Sequence, residues 1–506
     1  MNKPLKSLNS SLKLPLKTSI APTFGLVFAT LRKALKPAYV ATLIVFALFA
    51  TAYFATSGMQ TSQAAGLTKY PITTGGNWSA DATWTLNADG TANATTKPDA
   101  ADDVIMNATS GPITIDATAV AKSLNCTGYT NTLTHNAVTL TVSGSVTLAA
   151  GMTYTPLATS TIIMNATGTL TTGGKLLPLL TSTSGTLTLG DNLSFMDSKV
   201  LQFTLSGTAV DLNGKTVAGN SATNRVLIQS ATIGTPATIT VSAGTFANAD
   251  FMDIAFANGG ADLNLSAITG LSGNCGGNAM SGGGALTFTT SAAQTATMAT
   301  SKSWSDVTIW TSRVPLPQDD VSMASVTGGT LTADMPRLGR SISWTGATGT
   351  PTWTLASSNT SYGSVTLIAG ITLTHSSGTY YLAGRSAYTL TSASKNFYSL
   401  YFNAPGGTYT LADALTSSGN LTINAGTLTH AANGTTAQGE MYKVNMTVGG
   451  NFTLGASGTI NVNGKGYAAN QGTGKPTTGY GGGSYGGLGA VTPGSTYGSL
   501  TAPVNI

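Results

Sequence analysis

Asn445-Met446-Thr447-Val448-Gly449-Gly450-Asn451-Phe452-Thr453-Leu454, followed closely by Gly458-Thr459-Ile460-Asn461-Val462-Asn463-Gly464, places an apolar residue at every second position between threonines, asparagines and glycines. Successive side chains of an extended chain point to opposite faces, so Met446/Val448, Phe452/Leu454 and Ile460/Val462 are predicted to point inward with Thr and Asn outward. Gly and Asn between the runs supply positive φ and side-chain-to-backbone bonds at corners. Thr139-Leu140-Thr141-Val142, Ser145-Val146-Thr147-Leu148, Gly185-Thr186-Leu187-Thr188-Leu189 and Asn420-Leu421-Thr422-Ile423 repeat the pattern. Such short runs and tight corners predict an all-β chain, a parallel β-solenoid (β-helix) whose coils of roughly 20 residues stack at about 4.8 Å into a rod on the order of 90 Å long. The competing fold is an array of β-sandwiches, whose strands are usually longer.

The chain restarts once. Trp78-Ser79-Ala80-Asp81-Ala82-Thr83-Trp84 returns as Trp304-Ser305-Asp306-Val307-Thr308-Ile309-Trp310. Pro98 precedes Asp102-Asp103-Val104 as Pro315 precedes Asp319-Asp320-Val321, and Asp116 precedes Lys122-Ser123-Leu124 as Asp334 precedes Arg340-Ser341-Ile342. Two tandem modules follow, spanning 67–297 and 299–466. The loop from Trp84 to Pro98 is much longer than that from Trp310 to Pro315. The run from Gly273 to Gly284 reads as an inter-module or coil-end loop. Residues 467–506, with Tyr480-Gly481-Gly482-Gly483-Ser484-Tyr485-Gly486-Gly487, hold too few apolar side chains for a core and read as a glycine-tyrosine loop or linker leading to further chain.

Charged residues are only 8% of the chain and hydrophobic ones 41%, so Thr, Ser, Asn and Gly supply the polarity. Seven of the 23 basic residues, Lys3, Lys6, Lys13, Lys17, Arg32, Lys33 and Lys36, precede Ala65, leaving 16 against 18 acidic residues beyond it. The formal charge of +5 therefore belongs to the N-terminal segment, and no nucleic-acid-binding surface is implied. An uncharged apolar run from about Ala38 to Ala55 follows these cations, so residues 1–64 read as a signal peptide cleaved after Ser62-Gln63-Ala64, or as an uncleaved membrane anchor. Either reading exports the rest, and membrane contact is expected only through this segment. No amphipathic helix of useful length follows it. Cys126 and Cys275 read as isolated buried thiols, with one long-range disulfide as the alternative.

The tryptophan pair, the following proline and the Asp-Asp-Val strand resemble the opening of modules in large secreted bacterial β-helix proteins, and the start of the eight-glycine extracellular domain of animal hyaluronan-processing and fibrocystin-type proteins. Asn396-Phe397-Tyr398-Ser399-Leu400-Tyr401-Phe402, Gly407-Thr408-Tyr409-Thr410-Leu411 and Asn420 to Leu428 are similar to repeats of bacterial cell-surface proteins of the adhesin or autotransporter-passenger kind. The resemblance covers most of residues 75–465. Its motifs specify architecture only. The exposed Thr and Asn ladders along the coils are the candidate binding surface, because repeated hydroxyls and amides can meet glycans multivalently. The leading expectation is therefore a secreted or surface protein that attaches or spaces without catalysis, with glycans or other cell-surface components as partners.

The alternative is a polysaccharide-active β-helix lyase or hydrolase. For that chemistry Asp250 and Asp253 in Ala249-Asp250-Phe251-Met252-Asp253 could flank a substrate, with Asp191 and Asp197 a weaker pair and Glu440 the only glutamate. A glycosidase needs its acid and base facing each other at about 5 to 10 Å, which spacing alone does not establish; corner aspartates bonding to backbone are the plainer reading. Asp102, Asp103, Asp319 and Asp320 offer hard oxygen ligands for calcium, or else cap the first coil of each module. Trp78, Trp84, Trp304 and Trp310 could stack on sugars, but a structural role as plugs of the solenoid core is favoured. The histidines of Leu133-Thr134-His135, Leu373-Thr374-His375 and Leu428-Thr429-His430 mark one repeated strand end. No Ser-His-Asp set, phosphate loop or paired-cysteine metal motif stands out, and no cofactor other than calcium is suggested.

Overall fold

The computed structural model describes residues 66–196, 202–205, 209–433, 442–467 and parts of 471–496. The signal or anchor segment, Asp197, Glu440 and much of the glycine-tyrosine tail lie outside the described residues. The fold is a parallel β-solenoid of about 14 turns, 45% strand and 2% helical. Among the described residues the antiparallel pairing that sandwiches require is confined to two places: Tyr70–Thr85 with Pro71–Trp84, and the bridge Ala296–Trp310. Both lie where a tryptophan motif opens a module. Among the described residues no helix is long and apolar enough to cross a membrane.

Coil stacking follows from the alternation. Val104, Leu124, Val146 and Leu170 sit on successive rungs of one inward column, all buried, and Val321, Ile342, Val365 and Leu390 make the corresponding column later in the chain. Each such side chain removed from water contributes roughly 1.5–3 kcal/mol, while the backbone bonds between coils satisfy the ladder on both sides. Two separate cores result. The first runs from Trp78 to Leu265 and ends in a cluster of Phe246, Phe251 and Phe256 in edge-to-face contact. The second runs from Ala296 to Leu428 and carries an aromatic spine through Trp304, Trp353, Tyr380 and Phe397.

Three expectations change. The modules do not extend one uninterrupted rod: outward-facing Leu227 and Met252 of the first, together with Cys275, are buried against Tyr362 and Ala383 of the second, so the coils lie flank to flank near the junction. The run from Gly273 to Gly284, expected as an inter-module or coil-end loop, is instead partly strand, at the end of Thr269–Asn274 and over Ala279–Ser281, with Cys275 in the contact surface. Phe452 and Leu454 occupy the inward column above Leu421 and Ile423, as their alternation predicts, yet they are 45% and 50% exposed, and Val462 is 48% exposed. Their strand, Phe452–Ile460, pairs on one side only among the described strands. A column position buries a side chain only when a further coil covers it.

Candidate functional site

The duplicated sequence builds a duplicated device. Trp84 Nε1 donates to the Trp78 carbonyl at 2.9 Å, and Trp310 Nε1 to that of Trp304 at 2.8 Å. The ring centroids are 4.9 Å apart in both pairs. All four rings are buried, at the mouth of their cores. Ser79 and Ser305 each donate through backbone N–H and hydroxyl to Asp116 and Asp334, which pins the tryptophan turn to the next coil.

The carboxylates that could take calcium are engaged in the same device. Asp102 accepts from the backbone N–H groups of Leu67 and Asp99, and Asp319 from those of Ala292 and Leu316. Asp103 pairs with Lys122 and Ser123, and Asp320 with Arg340 and Ser341. Among the described residues no three His, Cys, Asp or Glu side chains gather as a metal cluster. Asp191 likewise receives the backbone N–H groups of Thr172 and Gly173.

Asp250 and Asp253 are brought to the junction of the modules, where each meets a partner distant along the chain, 87 and 132 residues away. Asp250, 0% exposed, accepts from Arg225 Nε at 2.7 Å and from Arg337 Nε at 2.5 Å. Arg337 also donates to the Arg225 carbonyl, 2.7 Å, and Arg225 to those of Ala222 and Pro315. Burial would raise the Asp250 carboxyl; the two guanidiniums outweigh it and hold it below the ordinary carboxylate value. Asp253 is bonded to Arg385 Nη2 at 2.7 Å and to Gly234 N–H at 3.0 Å, with its backbone held at φ +56. That left-handed conformation is one Asp tolerates better than most residues. The pair that could flank a substrate is therefore an inter-module staple, not an acid and base facing a cleft.

Gln318 adds a neutral clasp, its Oε1 accepting from Asn274 N–H and its Nε2 donating to the carbonyls of Ser272 and Thr289. Cys275, free like Cys126, is pushed up to about 12 by burial and by the nearby Asp250 charge, which makes it an inert packing group. Arg337 and Arg385 were not singled out in the sequence. A signal existed for the first: counted from Asp116 and Asp334, Arg337 stands where the first copy has Ala119.

Where the flanks diverge beyond this staple, a groove of about 430 Å³ opens. Its floor is the apolar cluster of Leu227, Met252, Tyr362 and Ala383; Gln229 stands on one wall and Thr360, Tyr381 and Asn403 on the other. Neither Asp250 nor Asp253 lines it. Tyr381 and Tyr401 follow each other on adjacent rungs of one outward column, half-buried, with ring centroids 5.3 Å apart. The three histidines lie at strand ends, at the close of Thr132–His135, Thr372–His375 and Leu421–His430. No protein-family model matches the chain, and comparison with curated proteins and with solved structures finds no similar protein.

Proposed function

We propose that this chain is an exported structural and adhesive β-solenoid of a bacterial cell surface or secretome, acting by attachment and spacing and without catalysis. The observation that carries the reading is how the few charges are used. In a chain with 8% charged residues, the described aspartates marked as candidate acids or ligands each hold backbone amides or a basic side chain in place. A carboxylate committed to two buried arginines has neither the proton nor the freedom to act as a general acid. The fold's remaining assets are a repetitive polar surface, a hydrogen-bond ladder within each module and a shallow groove, which suit attachment. The basic segment and apolar run ahead of Ala65 support export.

Two measurements test it. Mass spectrometry of the exported fraction should find the mature N-terminus near Ala65, whereas recovery of residues 1–36 with the membrane would indicate an anchor. Incubation with neutral and acidic polysaccharides should release no reducing or unsaturated ends. Release that is lost in Asp253→Asn with folding intact would replace this reading with the polysaccharide-active enzyme.

A further inference from the structure

We propose that the groove between the two modules binds an uncharged oligosaccharide, with Tyr381 as its stacking platform and Asn403 and Thr360 as polar contacts. The proposal rests on the adhesive reading and names the ligand class of that surface.

The first support is the shape and lining of the groove. At about 430 Å³ it falls within the range of roughly 300–1,000 Å³ of small-ligand sites, and it combines an apolar floor with a few polar side chains on its walls. A pyranose has matching faces, with C–H groups that lie against an aromatic ring and hydroxyls around its rim. The second is a break in pattern. Thr360, Tyr381, Tyr401, Thr422 and Thr453 form one outward column on successive coils. Tyrosines replace threonine beside the groove, where their rings make a continuous half-buried face. Asn424 Nδ2 donates to Asn403 Oδ1 at 2.9 Å, which orients the Asn403 amide so that its NH₂ is the end offered to a ligand hydroxyl.

The lining offers an acidic sugar no exposed cation to pair with. Arg337 is the charged residue lining the groove, and it is 6% exposed with Nε on Asp250 and Nη2 on a carbonyl. The triad of Arg225, Asp250 and Arg337 holds one positive charge in excess, but it is buried, with Arg225 Nη1 and Nη2 and Arg337 Nη2 donating to the carbonyls of Ala222, Pro315 and Arg225. A peptide strand is disfavoured as well. The walls are the faces of strands whose backbone groups are spent in the coil-to-coil ladder, so no free edge is presented for strand addition.

The test uses the full chain on an array of neutral oligosaccharides (glucans, mannans, galactans and N-acetylglucosamine oligomers) beside acidic ones, followed by titration calorimetry with the best probe. Binding of a neutral probe, weakened roughly five- to tenfold by Tyr381→Ala and by Asn403→Ala with unchanged melting, is the expected result. Tyr381→Phe should retain most of it. Binding unaffected by these variants but lost in Thr134→Ala/Thr155→Ala, on a separate threonine ladder of the first module, would overturn the groove site and leave the adhesive reading standing. Preference for acidic probes, or no glycan bound, would also overturn the site; adhesion of beads coated with the full chain to cells then judges the broader reading by itself.

Discussion

The two module openings share their tryptophan hydrogen bond and ring spacing, yet they neutralise the buried aspartate behind it by different routes. In the first, the cation comes from the strand itself: Lys69 is 1% exposed, 3.9 Å from Asp102, with its ammonium bonded to Thr95 Oγ1 and the Thr96 carbonyl. Those partners lie on the long loop between Trp84 and Pro98. In the second, Gln294 occupies the equivalent rung, pairing beside Val321 as Lys69 does beside Val104, and Arg313 reaches Asp319 from the short loop. A buried ammonium needs several acceptors and hence a loop long enough to bring them; a guanidinium on the loop makes two bonds to the carboxylate directly. The tryptophans are the constant part because they close a core, and the charge around them is free to vary as long as it is paired.

The largest test of that equivalence is removal of the plug. Trp84→Ala and Trp310→Ala should each cost about 3–5 kcal/mol by cavity formation, with about 1 kcal/mol more from the lost indole hydrogen bond. Chemical denaturation monitored by tryptophan fluorescence and circular dichroism measures both. A cost under about 1 kcal/mol for either would mean that the copies only look alike.

The next effect separates the copies, since the first has Ala119 where the second has Arg337. Asp250→Ala leaves two buried guanidiniums without their anion and should cost about 3–5 kcal/mol. Arg337→Ala restores the residue of the first copy and should cost less, because Arg225 still pairs with Asp250. If hydrogen exchange shows no opening along Val226–Ser230 and Arg337–Gly339 in Asp250→Ala, the staple does not hold the flanks together.

Much of this architecture was legible. Alternation assigned inward and outward faces correctly for Leu140, Val142, Leu187, Leu189, Leu421 and Ile423, because burial inside a coil depends only on side-chain parity. The repeated Trp, Asp-Asp-Val and Lys/Arg-Ser pattern marked one device, whose ion pairs account for its matched offsets. The lateral contact was not legible. Leu227, Met252, Tyr362 and Ala383 sit at outward positions in coils far apart in sequence, and parity cannot say which outward face another module will cover. Likewise Phe452 and Leu454 carry an inward pattern whose burial depends on the coil above. What could have been read was the departure from the repeat: in a chain this poor in charge, Arg337 in place of an alanine calls for a buried anion, and Asp250 was already in view.

A pH effect of similar or smaller size distinguishes the repeated histidines. His135 is 0% exposed, with Nδ1 accepting from Tyr154 OH at 2.9 Å and Nε2 donating to the Val138 carbonyl at 3.0 Å, whereas His375 on the corresponding strand is half-buried. Burial lowers the His135 pKa from 6.5 to about 4, so the folded state keeps it neutral while the unfolded chain takes up a proton. Its contribution is complete above pH 6.5 and is lost as pH falls toward 4, by roughly 3 kcal/mol in all. Unfolding measured across that window should show the slope, and His135→Gln should flatten it. An unchanged slope would assign the titration to another group.

The smallest effect is expected where the copies match best on paper. Lys122 and Asp103 form a single contact with side chains 56% and 34% exposed, and Arg340 and Asp320 a two-pronged one with side chains 41% and 45% exposed. Exposed pairs gain little over hydration, so Lys122→Ala should cost under about 1 kcal/mol. Arg340→Ala should cost slightly more, because a guanidinium fork meets both carboxylate oxygens and holds them in one geometry. Raising salt to about 1 M shortens the screening length to about 3 Å and should reduce both costs, while leaving Asp250→Ala as damaging as before. A salt-insensitive Arg340→Ala, or one rivalling Asp250→Ala, would show that the second opening depends on its outer ion pair in a way the first does not.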